Sequence, residues 1–146
     1  MDQNTRTLDS AWWALRIGLG VGPFLAGLDK FFNLLTDCGM YLSPTMAKLL
    51  PVSGPVFMRT VGVIEMIVGL AILAGFTRIG AYVAGAWLVA IAANLVVSGH
   101  YFDVAVRDVE MAIAAFTLAR LTEAGVAATE ATSAHVTDYA PRRVIA

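Results

Sequence analysis

Ile79–Val97 runs for nineteen residues without a charged side chain, and three other stretches come close to the same description. A helix rises about 1.5 Å per residue and the hydrocarbon core of a bilayer is about 30 Å thick, so a helical crossing needs about twenty apolar residues. Reading along the chain, such runs cover about residues 12–35, 56–76, 79–97 and 104–121. Charged residues make up 14% of the 146 and hydrophobic ones 58%; a soluble domain carries about a quarter charged residues. A water-soluble fold of this length cannot bury so much apolar surface. The connections at Thr77-Arg78 and at Ser98–Asp103 are short and require antiparallel neighbours. The expected fold is all-α, an integral membrane up-down four-helix bundle. Its parts are a polar N-terminal segment (1–10), a four-span membrane domain (11–121) and a polar C-terminal tail (122–146).

The flanking segments refine this picture. Met1–Ser10 is polar with two acids, and the apolar run behind it is too long for a signal-peptide core, so it reads as a retained signal anchor. Trp12 and Trp13 fit an interfacial aromatic belt. Cys38–Pro55 carries Pro44, Pro51 and Pro55 around the phrase MAKLL, and reads as a connection with an amphipathic turn on the membrane surface. Thr122–Ala146 is rich in Ala and Thr and polar enough to be disordered alone. Arg6, Arg16, Arg78, Arg120, Arg142 and Arg143 fall on the side of the termini, against Lys30, Lys48, Arg59 and Arg107 opposite. That bias places both termini in the cytoplasm, with the chain in a bacterial inner membrane.

Charged groups inside spans are the informative residues, because each costs about 2.5–3.5 kcal/mol at a helix centre and therefore faces the bundle and pairs. Arg16, Glu65, Asn94, Arg107 and Asp108 are the intramembrane polar candidates, as a site for a quinone headgroup or a proton. The competing reading makes them structural ion pairs and interfacial anchors. Helical spacing puts Arg16, Gly20, Pro23, Gly27 and Lys30 on one stripe, Gly62, Glu65 and Gly69 on a second, and Gly80, Ala84, Trp87, Ile91 and Asn94 on a third. Gly20, Gly27, Gly62, Gly69 and Gly80 are the expected helix-packing positions, where a missing side chain lets a neighbour approach.

Other chemistries find little support. The two histidines, His100 in a turn and His135 in the tail, cannot form a facing pair for haem inside the bilayer. The lone Cys38 gives neither an internal disulfide nor a thiolate metal cluster, and no metal site is expected. GLGVG sits inside a span with no preceding strand, so it is not a dinucleotide fingerprint. No Ser-His-Asp order, Walker motif or HExxH is present, and no catalytic residue is assigned. A net charge of -1 offers no basic field for nucleic acid.

Three phrases taken in order resemble the DoxX-like family of small bacterial four-helix membrane proteins. They are ALRIGLGVGPFLAGLDKFFNLL with Arg16, Gly27, Asp29 and Lys30, VGVIEMIVGLAILAGFTRIGAYV with Glu65, Gly69, Gly75, Thr77 and Arg78, and FDVAVRDVEMAIAAFTLARL with Arg107 and Asp108. The resemblance covers about residues 11–122; the proline-bearing connection and the tail have no counterpart in it. It implies a redox setting, since the name-giving members are small membrane subunits of a thiosulfate:quinone oxidoreductase. The chain is therefore expected to be a non-catalytic membrane subunit of a larger respiratory or other electron-transfer complex, with other membrane subunits, lipids or copies of itself as partners. The alternatives are a quinone-interacting subunit and a small-solute or proton pathway. No cofactor is expected on this chain alone beyond a quinone or lipid at the helix surface.

Overall fold

The computed structural model describes residues 3–32 and 52–138. They form four helices: α1 (Gln3–Phe32), α2 (Gly54–Ala74), α3 (Thr77–Ser98) and α4 (Phe102–Asp138). All four are long and apolar enough to cross a membrane, as in a multi-pass helical membrane protein. Cys38, most of the proline-bearing connection and the last eight residues lie outside the described residues.

Sequence punctuation explains the boundaries. Pro55 stands in the first turn of α2, where its missing N–H costs nothing. Gly75 (φ 112°) and Gly99 (φ 75°) end α2 and α3 in the left-handed conformation that closes a helix. At the first of these ends the N–H of Phe76 donates to Ala71 O at 3.0 Å, and the Thr77 hydroxyl donates to Ile72 O at 3.1 Å. Tyr101 also takes a positive φ, 60°, and turns the chain into α4.

Two helices outrun the spans read from the sequence. α1 starts at Gln3 rather than near Trp12, and α4 continues to Asp138, so most of the C-terminal segment is helix rather than irregular tail. The added turns of α4 are rich in alanine, the strongest helix former, and their Thr and Ser hydroxyls fold back onto their own helix. Thr129 donates to Gly125 O, Thr132 to Ala128 O and Ser133 to Thr129 O, each at 3.0 Å.

Packing is tightest within the pairs α1/α2 and α3/α4. A Cβ on Gly69 would stand 2.5 Å from Gly20 O, and one on Gly62 would stand 2.6 Å from Gly27 O. The two contact points progress in opposite senses along α1 and α2. The apolar core is small-residue: Leu19, Ile72, Ala81, Ala84, Ala115, Leu118 and Ala119 join all four helices near the end where α2 turns into α3. In the other half the buried apolar cluster is Ala92, Leu95 and Ala105, from α3 and α4 alone. Large apolar side chains point outward, among them Ile67, Ile79, Val97, Val106 and Ile113. Such an apolar exterior suits lipid and would aggregate in water.

Candidate functional site

The buried ionisable residues gather in the half of the molecule that lacks the four-helix apolar core. Glu65 lies near the middle of α2, on the stripe Val61, Gly62, Glu65, Gly69 and Ile72 that faces inward. Because glycines at 27 and 62 let α1 and α2 approach closely, Lys30 reaches Glu65: its Nζ donates to Oε2 at 2.5 Å, with the two side chains 11% and 10% exposed. Asp108 is 6% exposed on α4, on an inward stripe of Ala105, Asp108, Ala112 and Ala115 at helical spacing. Its carboxyl lies in the field of Arg107, Glu65 and Lys30. Among the described residues it has no ion pair or hydrogen bond of its own, whereas Asp29, 7% exposed beside Lys30, is engaged.

The remaining candidates go elsewhere. Arg16 does not meet Glu65. It caps α2, its Nε donating to Ile72 O at 3.1 Å and its second guanidinium nitrogen to Leu73 O at 2.7 Å, with both Trp12 and Trp13 rings 5.0 Å away. Seven residues of helix, about 10 Å, separate Ile72 from Glu65. The reason is chemical: the last carbonyls of a helix lack partners, and a guanidinium from the adjacent helix supplies them. Arg107 is exposed, one position out of phase with the inward stripe, so the inward group on that turn is Asp108. Asn94 is half-buried on α3 and has a partner. The glycine set serves as spacing: Gly20 and Gly27 pack on α2, Gly62 and Gly69 on α1, and Gly80 against Ile72.

Sequence reading missed Lys30 as a member of the charged site, placing it only on the stripe and on the outer side. Its signal was present: the stripe that holds Gly27 also holds Lys30, and a cation on a packing face needs an anion. Trp87 carries a buried indole N–H with no acceptor among the described residues. His100 is exposed, its Nδ1 2.8 Å from Ser98 O. Among the described residues no three of His, Cys, Asp and Glu gather in metal-binding geometry.

A second polar group stands at the opposite end. Glu123 binds Arg78 Nε at 3.0 Å and Arg120, and accepts from the Tyr82 hydroxyl at 3.1 Å. Close by, Trp12 Nε1 donates to Thr122 Oγ1 at 2.8 Å. Arg16, Arg78 and Arg120 thus lie at the end where α2 turns into α3, with aromatic side chains around them.

A groove of about 240 Å³ opens between α3 and α4, lined by Ala92, Val96, Phe102, Ala105, Val106 and Val109 with Glu110 at its edge. Its lining is almost wholly apolar, and it flanks the α4 turn that carries Asp108.

No protein-family model, no curated protein and no solved structure matches this chain.

Proposed function

We propose that the chain is a DoxX-like, non-catalytic subunit of a bacterial inner-membrane electron-transfer complex, folded as an up-down bundle with both termini in the cytoplasm. The observation that carries this reading is the length and exposure of α4. At 37 residues it is about 55 Å long, against a hydrocarbon core of about 30 Å. Every residue from Ala124 to His135 is exposed, so among the described residues this part of the helix finds no packing support. A polar helical extension on a membrane bundle suits attachment to another membrane subunit. The grouping of Arg16, Arg78 and Arg120 at the end from which α4 projects supports a cytoplasmic side there. Purification in mild detergent, with identification of the accompanying chains, tests the proposal; a stable lone monomer overturns it.

A second reading is a quinone-interacting subunit, of the thiosulfate:quinone oxidoreductase type or another. It is favoured by the apolar groove at Ala92–Val109, which suits an isoprenoid tail, beside a buried carboxyl that suits a polar head. Binding of a fluorescent quinone analogue to the purified chain, weakened by Ala105→Trp, is the expected result. Unchanged binding to that variant removes the reading.

A further inference from the structure

Lys30 and Glu65 form a largely buried ion pair, and Asp108, 6% exposed on α4, lies within the electrostatic reach of both. The ion pair is complete with Lys30 and Glu65 alone. Asp108 then stands as an additional carboxyl, 6% exposed and without a hydrogen bond or ion pair among the described residues. A net charge buried in an apolar medium is costly, and a group placed so sheds its charge or acquires a partner. Each helix carries ionisable groups of its own. α1 offers Lys30, already on Glu65, and Asp29, itself an acid. α2 offers Glu65. α3 has no ionisable side chain between Tyr82 and its end at Ser98. On α4 itself Arg107 is adjacent but exposed, turned outward where its long stem can reach polar surroundings, and Asp103 and Glu110 are exposed acids.

We propose that this cluster is an intramembrane proton-binding site, with Asp108 as the group that takes up and releases the proton and the Lys30–Glu65 pair as its fixed charged wall. Uptake forms one O–H bond on an Asp108 carboxyl oxygen. The proton comes from water at the end of the bundle where α4 begins, about 9 Å along the helix from Phe102. No electron moves, and the cluster passes from one net negative charge to none. Release reverses the step. This inference rests on the membrane-spanning reading of the helices and not on the identity of any partner.

The test uses the purified full chain in phospholipid nanodiscs and dicyclohexylcarbodiimide, an apolar reagent that attacks protonated carboxyls in membrane interiors. The expected result is one adduct, mapped by mass spectrometry to Asp108, that declines as pH rises and is lost in Asp108→Asn. Lys30→Met is expected to gain a second adduct at Glu65, because that carboxyl then lacks its ion-pair partner. A carbonyl-stretch infrared band of protonated carboxyl, present in the unmodified chain and missing in Asp108→Asn, gives a readout that needs no reagent. Circular dichroism identifies variants that fail to fold; the unmodified chain alone still decides the question. No adduct and no band at any pH where the helices persist overturn the proposal. Labelling at Glu65 instead of Asp108 overturns the assignment of roles. Protection by sodium replaces a proton site with a metal-cation site. None of these results depends on co-purifying chains, so failure here and failure of the subunit reading are separate outcomes.

Discussion

Lys30 stands two residues before the end of α1 as described, a position from which a long cation ordinarily reaches out to water. Here it turns back along the packing face and spends its charge on Glu65. Removing one member of a buried pair leaves the other uncompensated, a loss of about 3–5 kcal/mol. Lys30→Met and Glu65→Gln should each lower stability by about 3 kcal/mol, while the double variant costs less than the sum of the two. Unfolding titrations in mixed micelles measure all three. Trp87 makes the opposite case. Its buried N–H has no acceptor among the described residues, so Trp87→Phe removes a polar atom that is only a burden. Its thermal midpoint should equal or exceed that of the parent, with any gain at most about 1–2 kcal/mol; a large loss would reveal an acceptor.

At the scale of helices, small residues decide which faces meet. A Cβ on Gly27 would collide with Gly62 O, whereas one on Gly18 or Gly22 would meet nothing within 4 Å. The GxxxG formed by Gly18 and Gly22 is therefore not the α1–α2 contact; Gly20 and Gly27 are. Gly27→Leu should weaken the bundle by about 1–3 kcal/mol or more through overpacking. Gly22→Ala should be neutral or slightly favourable, since alanine is the better helix former by about 1 kcal/mol. Unfolding in detergent, run side by side on the two variants, checks the contrast. Periodicity identifies a face of small residues but not the neighbour it receives.

For the whole molecule, the distribution of core matters most. Apolar packing joins all four helices at one end, while the other end pairs the helices and inserts charge. The projecting part of α4 contributes nothing to either region. Truncation after Glu123 keeps the Arg78 and Arg120 contacts and should shift bundle stability by no more than about 0.5 kcal/mol. The same truncation should abolish co-purification of partner subunits in mild detergent. If bundle stability falls steeply instead, the extension belongs to the fold and not to a partner.

Much of this was legible in the chain itself. Four apolar runs of membrane length, the glycine and proline stops between them, and the inward stripes at Gly62-Glu65-Gly69 and Gly80-Ala84 follow from local rules: helix rise, lost backbone donors, and a period of 3.6 residues. The helical course of α1 before Trp12 and of α4 beyond Leu121 did not follow, because polarity was read as an end of structure although alanine-rich polar sequence propagates a helix already begun. The pairing of charges was a tertiary matter throughout. Arg16, Glu65, Asn94, Arg107 and Asp108 looked like one polar set, yet depth along a helix and phase around it are separate coordinates. Arg16 went to the end of α2, Arg107 faced outward, Lys30 paired with Glu65, and Asp108 faced inward within the field of that pair. Sequence by itself determined that such groups sit in apolar helices, because each helix reads its own composition. Which of them share a space was decided by the close approach of α1 and α2 and the rotation of α4, and no single segment encodes either.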